Sequence, residues 1–166
     1  MIKSTDICIN RKNSIYVSRD LTYGRRKRPA AVEVAEATIR ESLPVFRTLL
    51  DLPDDLTFRL ARIKGKYGGL YVSTMKTVVI NPLYTWESFF NTLAHELVHA
   101  EQYYQGRLEH VYDKKKGWLH HWKGEINTSK GKTYNSYRNQ PWEKEAFERS
   151  KGLCEEVEKV FKILGK

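Results

Sequence analysis

The chain has 166 residues, 40% of them apolar and 30% charged, with a formal net charge of +9 at pH 7. This composition suits a folded chain large enough to bury a core and excludes a disordered one, and no apolar run approaches the roughly twenty residues of a membrane span. Met1–Asp6 lacks the apolar stretch of a secretory signal, and Cys8 and Cys154 form no C-x-x-C pair, so a cytoplasmic setting without disulfides or cysteine metal sites is expected.

The charge is unevenly spread. Residues 1–31 hold eight basic and two acidic side chains, including Arg25, Arg26, Lys27 and Arg28. Residues 107–133 hold seven and three, including Lys114, Lys115 and Lys116. Such patches attract nucleic acid or acidic proteins, or simply form a solvated face.

In chain order, residues 1–28 read as a basic leader in which Ser14–Ser18 is a short strand candidate. Val32, Ala35, Ile39, Leu43, Phe46 and Leu50 recur at helical spacing, which predicts a long helix over 31–50, kinked or divided at Pro44. Residues 57–63, 69–73 and 76–81 read as three short strands separated by turns, expected as a small antiparallel meander. Thr85 is placed to cap a second long helix, with Glu87 in its first turn. The capping box is incomplete, because Ser88 stands where Glu or Gln would complete it. Gly106 is a suitable stop. Residues 107–140 are expected as a hairpin or loop over a cleft, turning at Asn127–Gly131. Pro141 opens a final helix whose stripe runs through Ala146, Phe147, Leu153, Cys154, Val157, Val160, Phe161 and Leu164.

The second long helix carries His95-Glu96-Leu97-Val98-His99. Histidines four apart on a helix lie one above the other, so one metal ion can take both imidazoles. The intervening Glu96 points beside that pair, where it can act on water without being a ligand. Other positions from Leu93 to Ala100 are uncharged, as a helix buried beneath a site requires. The plain alternative is an amphipathic helix that happens to expose two histidines.

A catalytic metal site ordinarily takes a third protein ligand. The metzincin continuation is absent, since Gln102 and Gln105 stand where glycine and histidine would be needed. Candidates are His110, His120, His121 and a carboxylate on the last helix. At about 100° per residue, Glu143 falls mid-stripe, whereas Glu145 points about 200° away, toward solvent. A carboxylate at the centre of a buried face needs compensation, and a metal ion supplies it. That favours Glu143. An acid in the first turn answering the helix dipole is the alternative.

The block from Val78 to Ala100 resembles zincin metallopeptidases, and within them SprT-like (Spartan-type) domains and small phage-borne relatives, over roughly residues 56–106. The chain departs from the SprT-like pattern, because no histidine followed by glycine occurs after the motif. Pro141–Ala146 instead is similar to the E-x-x-A element of gluzincins. The resemblance implies an α+β zincin-like single domain over 1–166. A small antiparallel or mixed sheet would pack against the long first helix, the H-E-x-x-H helix and the C-terminal helix. It implies a Zn2+-dependent metallopeptidase with His95, His99 and Glu143 as ligands and Glu96 as general base. Residues 76–81, with Val78, Val79 and Ile80 in contact, would be an edge strand binding the peptide substrate. Tyr134, Tyr137, His120 and His121 are the candidates for the oxyanion donor. Two other classes remain: a nucleic-acid-associated protein whose metal helix is structural, with aromatic residues such as Tyr16, Tyr23, Tyr67, Trp118 and Trp122 among the basic runs, and a phage structural or counter-defence protein keeping the zincin fold.

Overall fold

The computed structural model describes residues 14–22, 29–64, 68–127 and 133–165. The basic run Arg25–Arg28, Tyr23, Tyr67 and most of the leader lie outside them. The fold is α+β, with a mixed four-stranded sheet, a separate antiparallel three-stranded sheet and three long helices.

Strand β1 (Ile15–Val17) is followed by the single turn α1 (Arg19–Thr22) and then by α2 (Ala30–Leu49). Val32, Ala35, Ile39, Leu43 and Phe46 form the buried stripe of α2. The helix runs undivided through Pro44, contrary to the kink or break expected. Proline deprives the Arg40 carbonyl of its donor, but Pro44 lies on the exposed side, where water can serve.

Strands β2 (Thr57–Leu60), β3 (Gly69–Val72) and β4 (Thr77–Ile80) complete the first sheet in the order β1-β2-β4-β3. The expected meander is corrected here. β2 and β4 pair in parallel, and β3 lies beyond β4 and pairs with it antiparallel. The turn between β3 and β4 is local, made by a 3-10 turn at Ser73–Met75 and by Lys76 at φ 45°. The pairing of β2 with β4 is long-range and follows burial: Phe58, Leu60, Val78 and Ile80 are all within 1% of fully buried. Val78, Val79 and Ile80 therefore do not form an edge. Both sides of β4 are taken by neighbours, which leaves it no free backbone groups for a peptide. Among the described residues the outer strands of this sheet are β1 and β3, and of the two β3 lies against α3.

Helix α3 (Trp86–Tyr104) begins where expected, with Thr85 Oγ1 accepting from the Ser88 N–H at 3.4 Å. It ends in a Schellman motif. Gly106 sits at φ +66°, its N–H bonds to Tyr103 O at 3.1 Å, and the Arg107 N–H bonds to Gln102 O at 2.8 Å. Leu93, Ala94, Leu97, Val98 and Ala100 are all within 1% of full burial, so the middle of α3 is covered by the sheet, α2 and the last helix.

Residues 107–140 are more ordered in kind than a loop. β5 (Leu108–Asp113), β6 (Gly117–Trp122) and β7 (Glu125–Asn127) make an antiparallel sheet, followed by the short α4 (Tyr134–Arg138). Asn127 ends β7, and the remainder of the expected turn lies outside the described residues. Lys114–Lys116 form the exposed β5–β6 turn, held by Asp113 Oδ1, which accepts from the N–H groups of Lys115 and Lys116 at 2.8 and 2.7 Å.

Helix α5 (Pro141–Ile163) buries Trp142, Glu143, Ala146, Ser150, Cys154 and Val157. Its last turn leaves the core, since Leu164 is 62% exposed. Ala146 is fully buried, and its small side chain allows α5 to lie close along α3. No helix of the described residues is long and apolar enough to cross a membrane.

Candidate metal centre

His95 and His99 stand on successive turns of α3, and Glu143 faces them from the first turn of α5. Their ligand-type atoms all lie within 4.8 Å of one another. The two Nε2 atoms are 3.1 Å apart. Glu143 places Oε2 3.2 Å from His95 Nε2 and Oε1 3.4 Å from His99 Nε2. The rings meet edge to face, 4.7 Å between centroids, and His95 packs on Phe147 at 4.5 Å.

The residues fit a metal ion on two grounds. Glu143 is 4% exposed, and its Oε2, though close to His95, is buried with no hydrogen-bond partner. A buried carboxylate in that state is costly without a cation. Further, His99 Nδ1 lies 2.8 Å from Gln102 Oε1, and Gln102 Nε2 donates to the Trp142 carbonyl at 3.0 Å. The second bond fixes the amide, so Nδ1 carries a proton, and Nε2, which faces Glu143, is the nitrogen open to a cation. Gln102 was not singled out in the sequence, yet its place three residues after His99 puts it on the same helix face.

Electrostatics separate the two glutamates. Burial would raise the Glu143 carboxyl, but His95, His99 and the Tyr137 hydroxyl beside it bring it down to about 2. Burial pushes the Glu96 carboxyl up, with the Glu143 charge adding to the rise and the two histidines opposing it. One carboxyl is held in its ionised form and the other is pushed toward its protonated form.

Glu96 is pressed against β3. The Tyr71 N–H beside it works weakly against the rise that burial causes. A Cβ on Gly69 would stand 2.6 Å from Thr92 Cγ2 and 2.8 Å from Glu96 Cγ, so only glycine lets the strand approach this closely. Gly69→Ala should displace Glu96 by a fraction of an ångström while the histidines stay in place. A structure of the variant checks this, and an unmoved Glu96 would show that the contact is slack.

The other candidates fall elsewhere. His110 and His120 are register partners on β5 and β6, their rings 4.2 Å apart, and both line a cavity beside the triad without joining it. His121, the next residue along β6, faces the opposite side of that sheet. Tyr137 lies where two cavities meet, Tyr134 lines the polar one, and His120 stacks on Trp142 at 4.9 Å. Glu145 does not point to solvent. Its Oε1 accepts from Arg107 at 2.6 Å and from Arg149 at 3.0 Å, and both arginines also bind the buried Glu101.

His110 supplies a pH-dependent element next to the centre. Its Nε2 and the Tyr103 hydroxyl share a hydrogen bond of 2.7 Å. Although the residue is partly exposed, burial of its ring, reinforced by His120, pulls it down to about 4. A folded value below the ordinary 6.5 means stability that is complete above 6.5 and lost as pH falls toward 4. Urea titrations should show the parent protein losing more stability than His110→Gln between those limits. Equal losses would mean the ring is not desolvated.

Comparison of the chain with protein-family models, with curated proteins and with solved structures finds no match.

Proposed function

We propose that the chain is a zinc-dependent metallopeptidase of the zincin type, with His95, His99 and Glu143 as ligands and Glu96 as general base. The observation that carries this reading is the buried convergence of two imidazole Nε2 atoms and one unpartnered carboxylate oxygen, with a second carboxylate of raised pKa alongside. Two imidazoles and a carboxylate form one of the known three-ligand sets of catalytic zinc. Bound there, the ion would supply a Lewis acid and lower the pKa of water to about 7.

The chain's own residues then have defined tasks. Gln102 holds the His99 ring by its Nδ1–H. Glu96 takes a proton from water as the water oxygen bonds to the peptide carbonyl carbon. When the C–N bond breaks, Glu96 returns that proton to the departing amine. Tyr137, at the waist of the cleft, is the best placed of the oxyanion candidates. The free edge of β3, rather than β4, is where an extended peptide would pair.

The test combines metal analysis with peptide hydrolysis. The purified chain should hold one zinc per molecule and cleave peptides. His99→Ala and Glu143→Ala should each lose both properties. Undiminished zinc binding in either variant would overturn the ligand assignment. A zinc-loaded parent protein that cuts no peptide would overturn the activity.

A further inference from the structure

Two cavities flank the triad and meet at Gly69, Glu96 and Tyr137. A cleft that continues on both sides of the reacting position accepts a chain passing through it, not only a chain end. The two sides differ in chemistry. On the His99 side a space of about 410 Å3 is walled by Ile63, Tyr71, Leu108, His120 and Trp142, and among the described residues its acids are Glu96 and Glu143. On the His95 side a space of about 480 Å3 is lined by Glu87, Asn91, Thr92, Ser150 and Lys151 among others.

The apolar side continues beyond the cavity. The His110–His120 pair in its wall is followed on the same face of the hairpin, about 7 Å farther out, by the pair Tyr112–Trp118. Those two rings are 61% and 67% exposed, lie 5.4 Å apart, and lead to the turn Lys114–Lys116. The hairpin thus presents one aromatic track from the cavity to a basic tip. β3 gives the track a direction. Gly68 lines the His95 side, and Leu70 and Tyr71 line the His99 side. A peptide antiparallel to β3 therefore runs, amino to carboxyl, from the His99 side to the His95 side.

On the metallopeptidase reading, we infer that the substrate is an internal segment of an extended polypeptide. It carries a large apolar or aromatic residue on the amino side of the bond that is cut, preceded by acidic residues that reach Lys114–Lys116. Continuity with the cleft favours a polypeptide on the hairpin over a nucleic acid.

Peptides blocked at both ends test this with the zinc-loaded full chain and mass analysis of the products. Blocked peptides should be cut, and Phe or Leu before the cut should exceed Asp or Lys by about tenfold or more in kcat/KM. The double variant Tyr112→Ser/Trp118→Ser should raise KM severalfold for long peptides with an acidic amino-terminal extension. Short peptides that end before the hairpin serve as the control for folding and should be cut as by the parent. A need for a free terminus, a preference located only after the cut, or an equal loss for short and long peptides would overturn the inference while the peptidase reading stood. So would long-peptide kinetics left unchanged while salt-dependent retention on single-stranded DNA disappears, which would make the tip a nucleic-acid surface. Failure to cut any peptide would overturn both.

Discussion

Glu96→Gln should lower peptide hydrolysis by about 10²- to 10⁴-fold, the usual contribution of a positioned general base, or roughly 3–5 kcal/mol of barrier. The substitution isolates one property. Glutamine matches glutamate in volume, so its contact with Gly69 and the packing of β3 on α3 are kept. What is lost is a group able to take and return a proton. The proposed ligands His95, His99 and Glu143 are untouched, so on that reading zinc stoichiometry should equal that of the parent protein. Hydrolysis close to the parental rate would remove Glu96 from the reaction. Loss of zinc together with activity would mean that the variant reports on the architecture of the site and not on proton transfer.

The second large effect concerns stability. Glu101→Gln should cost about 3 kcal/mol, the lower end of the range for breaking a buried ion pair. Glu101 is 5% exposed and takes the Arg149 fork, with Nη2 at 3.0 Å and Nη1 in closer contact, together with Arg107 Nη2 at 2.9 Å. Glu145 is the other carboxylate in the cluster. Removing one negative charge leaves two guanidiniums sharing the remaining acid. The arginine side chains retain 34% and 23% exposure, so hydration offsets part of the loss, which sets the low end of the range. For a chain of this size the midpoint of thermal unfolding should fall by roughly 6–12 °C. A fall of under 2 °C would mean that apolar packing alone fixes α5 and the start of β5 against α3.

The difference between what the residues disclose and what they conceal follows the range of the interactions. Helix α3, its Thr85 cap and its Gly106 stop depend on groups within a few positions of one another, and spacing reveals them. Glu143 was also legible, because a rotation of 100° per residue places it among Ala146, Ser150 and Cys154. The same arithmetic misled at Glu145. Its direction was right relative to Glu143, but the chain after the Schellman turn carries Arg107 across that face, and helical spacing contains no information about a neighbouring strand. The order of the first sheet was hidden for a similar reason. Local turns link β3 to β4, whereas the parallel pairing of β2 with β4 is chosen by burial against α2 and α3. Once β4 is interior, the open edge beside α3 passes to β3, where glycine matters for closeness of approach as much as for turning.

The packing of Glu96 against β3 has a bearing on solubility. An open strand edge is a template on which copies of a chain can assemble, and β3 also exposes Leu70 to the extent of 55%. The Glu96 carboxyl stands near the Tyr71 N–H, which turns away from β4, so a strand from another copy added there would crowd it. Glu96 is already buried, and closing it off further from water carries a penalty that weighs against self-association. One buried carboxyl thereby guards an open edge.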